Sequence, residues 1–262
     1  MRTTSNPAFR NLPTTGGYAN FNYGQGQTAP FGQAPVVPPQ TVRPMTIDDV
    51  VTKTAITLGL AVITGTLTYL VGPPAVALAL PAAIVGLVIS LVIIFKKKVS
   101  PALVIAYSAV EGVFLGGISY VFGAWFSPGI IIQAIAGTIG VFAAMLVVYK
   151  TGAIRVTPKL TKWIIGAVAG AAVLMVVNLI ASFFTPGGLG LRDGGGLAIA
   201  FSLLCIGIAA FSFLLDFDAA DKAIKGGVDA KFAWYIAFGL MTTLVWLYLE
   251  ILRLISYFQS SD

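Results

Sequence analysis

Seven apolar stretches, each long enough for a helix to cross a bilayer, occupy this chain from residue 51 onward and leave few alternatives for its fold. A hydrocarbon core about 30 Å thick takes about 20 helical residues. Backbone groups in lipid must be satisfied within the segment, so apolar runs of this length read as helices. They cover 51–71, 75–95, 101–123, 129–149, 162–184, 196–216 and 232–257. Between them lie turn-forming segments: GPP, KKKVSP, SPG, KTGAIRVTPK, TPGGLGLRDGGG and DKAIKGGVDAK. The expected fold is all-α, a polytopic membrane protein with seven transmembrane helices. Thr46 or Asp48 is placed to cap the first, and Pro81 is expected to kink the second.

Composition agrees and narrows the chemistry. Hydrophobic residues make up 57% of the chain and charged residues 10%, against about 25% charged in a soluble domain. A single cysteine, Cys205, rules out a disulfide framework or a CxxC pair within the chain. There is no histidine, which removes the commonest metal ligand and the usual general base. An intramembrane protease is disfavoured too, since no GxGD-like motif surrounds Asp216 or Asp218. No enzymatic activity and no cofactor are expected, and proton chemistry falls to carboxylates.

Residues 1–44 are rich in Pro, Gly, Gln, Asn and Thr with scattered aromatics, a composition that cannot bury enough apolar surface to offset chain entropy. The chain therefore divides into a disordered cytoplasmic tail, 1–44, and a seven-helix domain, 45–262. The tail reads as a tether whose Phe and Tyr side chains could engage a protein partner. It has no apolar h-region, so it is no signal peptide and the first span is expected to remain in the mature protein. Net charge is +6, but the basic residues surround apolar spans, which points to a lipid bilayer and not to nucleic acid. With the N-terminus cytoplasmic, fourteen Lys and Arg fall inside and only Arg192 and Arg253 outside. The positive-inside rule then sets the C-terminus outside.

Against this background, buried acids stand out. Glu111 lies mid-way along the third span, Asp216 ends the apolar run of the sixth, and Glu250 follows WLYL in the seventh. An acid in a spanning helix costs about 2.5–3.5 kcal/mol on insertion scales, so it faces protein or water and commonly serves protons or cations. Asp216 and Asp218 are about 200° apart on a helix, so only one of them can face a given partner. Two carboxylates brought close titrate as a unit, sharing a proton at low pH and repelling at high pH. Such a pair makes a pH-dependent gate. It also offers Ca²⁺ weak, transient ligands, since that ion wants six to eight oxygens. Glu111 reads either as an accessory acid or as a protonated group hydrogen-bonded for packing. Arg253, three residues beyond Glu250, either pairs with it or snorkels outward. GxxxG spacings at Gly112 and Gly116, and at Gly166 and Gly170, are expected to serve packing between helices within the chain.

The segments LLDFDAADKAIKGGVDAKFAWYIAFGLMTTLVWLYLEILRLIS and SAVEGVFLGGIS resemble the transmembrane Bax inhibitor motif family, particularly its bacterial branch. That resemblance spans about residues 45–258. It implies a seven-helix fold with the seventh helix central, in a bacterial cytoplasmic membrane, and a pH-sensitive calcium leak governed by acids of the sixth and seventh helices. By position these match Asp216, or Asp218 in the other register, and Glu250, where the family often carries Asp. A different function also follows from relatives: a non-conducting regulator or adaptor of membrane proteases and the stress response, working through the tail.

Overall fold

The computed structural model describes residues 43–95 and 100–259, all within the compact unit Val42–Asp262. The tail expected over 1–44 therefore lies, except for Arg43 and Pro44, outside the described residues, as does the 96–98 lysine run. Seven helices follow in order: α1 Ile47–Leu70, α2 Pro74–Phe95, α3 Pro101–Trp125, α4 Gly129–Thr151, α5 Pro158–Ser182, α6 Gly196–Lys225 and α7 Ala233–Gln259. All seven are long and apolar enough to span a membrane, and no strand occurs among the described residues.

Local sequence explains the helix ends. Thr46 caps α1 with a full capping box, its hydroxyl accepting from the Asp49 N–H while Asp49 accepts from the Thr46 N–H. Thr157 caps α5 ahead of Pro158, whose fixed φ and missing N–H suit the first helical position. Helix α6 runs nine residues beyond the expected end at Asp216. Hydropathy falls there but helicity does not, because Asp218–Lys222 and Asp221–Lys225 form i,i+4 ion pairs at 2.6 and 2.5 Å along the last turns. Pro81 lies inside α2, which continues through it.

Helix α7 is the most buried of the seven and packs against α1, α3, α4 and α6, which makes it the central helix. On one side Phe213 and Phe217 of α6 meet Phe142 of α4 edge to face, with ring centroids 5.3 and 5.6 Å apart. On the other, Tyr107 of α3 stands against Phe238 of α7 at 5.0 Å. Leu, Ile and Val side chains along the outer faces of α1, α2 and α5 are exposed, as lipid contact requires.

The two glycine spacings behave differently. Gly112 and Gly116 sit directly under α1: a Cβ at Gly112 would overlap the Ala61 carbonyl oxygen, and one at Gly116 the Gly65 carbonyl oxygen. Gly117 does the same toward α2, where a Cβ would come within 2.6 Å of the Ala75 oxygen. Gly166 and Gly170 have open space beside them.

A short backbone clamp ties the start of α1 to the link between α6 and α7. Met45 N–H donates to the Val228 oxygen at 2.7 Å, Ala230 N–H donates to the Arg43 oxygen at 2.9 Å, and Pro44 bridges Asp229. Lys53 adds a hydrogen bond from Nζ to the Ala230 oxygen at 2.7 Å, while Asp49 holds the lysine in place at 3.2 Å.

Candidate functional site

Glu250 is the most buried of the acids, 1% exposed, and its carboxylate lies at the meeting point of α7 with the α5–α6 link. That link reverses the chain through glycines in left-handed conformations. At Gly188 (φ +63°) a Cβ would also press within 2.7 Å of the Asn178 oxygen. Asn178 answers by accepting the Leu189 N–H at 2.9 Å, which fastens the loop to α5. Leu191 is then buried with Ala171, Phe201 and Cys205, and the next residue, Arg192, is aimed inward.

Arg192 grips Glu250 as a fork: Nη1 donates to Oε2 at 2.9 Å and Nη2 to Oε1 at 2.8 Å. Two parallel charge-assisted bonds are the strongest pairing a carboxylate finds in protein. The guanidinium also lies over the Phe201 ring, 5.3 Å from its centroid. Burial opposes the charge on Arg192, but the hydrogen bonds and charge of Glu250 outweigh it and hold the group above its ordinary range. Arg253 adds a weaker bond to Oε1 at 3.3 Å, so it pairs within its helix, as the sequence allowed.

Asp216 has a different setting. Its Oδ2 accepts from the Thr243 hydroxyl of α7 at 2.8 Å, one turn beyond Gly239. Among the described residues no cation pairs with it. Of the two registers the sequence left open, Asp216 therefore faces α7, while Asp218 pairs with Lys222 toward the helix end. The expected carboxylate pair is not assembled in this arrangement. Asp216 bonds at Thr243, and Glu250 lies two turns further along α7, about 10 Å of helix rise away.

Glu111 approaches α7 from α3. The parallel contacts Ser108–Met241 and Ser119–Tyr248, the latter at 2.7 Å, fix the register of α3 on α7. Glu111 is 8% exposed and points at Gly86 of α2, where a Cβ would come within 2.9 Å of Oε2. Its polar neighbour is Tyr107, one turn back, whose hydroxyl lies near Thr242. Asp216 thus meets α7 at Thr243 and Glu111 approaches it by way of Tyr107, about 15 Å into that helix, with Glu250 about 25 Å in.

Sequence reasoning missed Arg192 as the principal partner of Glu250. The available signal was that it is one of only two basic residues expected at that end of the molecule. No group of three or more acidic, cysteine or histidine side chains converges among the described residues, so Asp216 and Glu250 do not form a preassembled calcium cage.

A bundle of seven spanning helices around a central one, with acids buried beside that helix, defines a polytopic integral membrane protein. The family model described as Bax inhibitor 1 like matches residues 6–260, and the chain belongs to that family. No curated protein matches it.

Proposed function

We propose that this protein is a pH-sensitive cation leak, with Ca²⁺ as the permeant ion, whose closed form is held by carboxylates of α6 and α7. The observation that carries this reading is the burial of Glu250 in an ion pair whose main partner, Arg192, comes from a loop and not from a spanning helix. A loop residue that neutralises an intramembrane acid is a plug: while Arg192 is in place, Glu250 offers no free charge to a cation. Its withdrawal leaves Glu250 held only by the 3.3 Å contact of Arg253 at that end of the bundle.

Asp216 supplies the proton-sensitive element. A threonine hydroxyl can donate to a carboxylate or accept from a carboxylic acid, so Thr243 serves both forms of Asp216 without rearranging the helix. Ionised, Asp216 places one negative charge mid-bundle and favours a cation; protonated, it does not. In the orientation set by the positive-inside rule, Asp216 lies nearer the cytoplasmic ends of α6 and α7, and Arg192 closes the outer end.

Calcium flux into proteoliposomes holding the full chain tests the reading. Flux should fall as pH drops from about 8 to about 6, with Asp216→Asn removing the pH dependence and Glu250→Gln raising the basal leak. Absence of flux across that range, or wild-type flux in both variants, overturns it and favours a non-conducting regulator.

A further inference from the structure

Beside the Arg192–Glu250 pair lies a cavity of about 430 Å³, far larger than the ~30 Å³ share of one water. Met175, Asn178 and Leu179 of α5 line one side, Phe201 of α6 another, and Arg192 with Arg253 the third. The charges around it do not balance. Two guanidiniums meet one carboxylate, and Glu250 spends both oxygens on the Arg192 fork. Asp193, the next acid in the chain, turns back into its own loop, where Oδ1 accepts the Gly195 N–H at 3.0 Å. Arg253 consequently makes one long bond, 3.3 Å, from a group with five N–H donors. Glu250 therefore uses little of the donor capacity of Arg253. Two part-buried guanidiniums against one carboxylate leave a surplus positive charge beside the cavity, which favours a counter-anion.

The geometry points to this cavity as a binding site for a phosphate-type oxyanion, held chiefly by Arg253 with Arg192 beside it. Asn178 Oδ1 accepts from the Leu189 N–H, so the amide NH₂ is the part of that lining side chain left to donate. Met175, Leu179 and Phe201 add apolar surface to the lining, so the site suits an oxyanion that carries a hydrocarbon chain as well as a free one. Arg253 lies about 30 Å along α7 from its start, the thickness of the hydrocarbon core and hence the level of lipid headgroups. The assignment rests on charge and shape at this cavity and does not depend on cation conduction.

Binding is therefore measured without flux. Full-length protein is stripped of lipid in detergent and given either radiolabelled inorganic phosphate in equilibrium dialysis or phosphatidylglycerol, counted on the protein by native mass spectrometry. Arg253→Gln removes the surplus charge and should weaken binding about tenfold or more, and Asn178→Ala should weaken it less. Unchanged thermal unfolding of Arg253→Gln without ligand, where Glu250 keeps its Arg192 fork, keeps the result separate from misfolding. Loss confined to phosphatidylglycerol assigns the site to a lipid headgroup, and loss confined to phosphate assigns it to a free anion. Wild-type affinity in both variants, or no binding of either probe to the wild type, overturns the proposal.

Discussion

Glu250 and Asp216 both touch α7, yet their surroundings are opposites. Glu250 is paired with two cations, while Asp216 has a hydroxyl and, among the described residues, no cation. The first arrangement compensates a carboxylate with cations; the second gives it a hydroxyl, which can donate to a carboxylate or accept from a carboxylic acid. An acid can be kept inside a membrane protein as a strut or as a titrating group, and the partner decides which.

The contrast is broken most severely by Glu250→Leu. Two guanidiniums then remain part-buried without a counter-charge, and unfolding free energy should drop by about 3–5 kcal/mol in detergent thermal or denaturant unfolding. A loss under about 1 kcal/mol would show that the pair is incidental. Arg192→Gln comes next, at about 1.5–3 kcal/mol, because Arg253 remains to balance Glu250 while the fork is gone. Thr243→Val should cost about 1 kcal/mol by stripping Asp216 of its donor. Least of all, Asp216→Asn should shift stability by less than about 1 kcal/mol, since an amide still bonds Thr243, while removing the pH dependence of flux. If Asp216→Asn proves as damaging as Glu250→Leu, the two acids are both struts and the distinction fails.

Much of the architecture was legible because its cause is one-dimensional. An apolar run of about 20 residues is a helix wherever lipid surrounds it, and seven runs gave seven helices. The end of α6 was misjudged because hydropathy marks where lipid contact stops, while the Asp218–Lys222 and Asp221–Lys225 pairs carry the helix onward. Identifying Glu250 and Asp216 as unusual needed only their position. Their partners did not follow, since Arg192 reaches Glu250 across 58 residues by way of a glycine-rich reversal that leaves no periodic signature. Glycine spacing was equally mute: Gly112 and Gly116 touch α1 while Gly166 and Gly170 touch nothing, and only the third dimension separates them.

The clamp at the start of α1 has a mechanical meaning. The turn that joins α6 to α7 is stitched by main-chain bonds to residues 43–45, so the entry of the chain into the bundle and the hinge of its two acid-bearing helices move as one part. Whatever pulls on the chain just ahead of Arg43 pulls directly on that hinge, and a fusion or cut placed there is a lever and not a neutral handle.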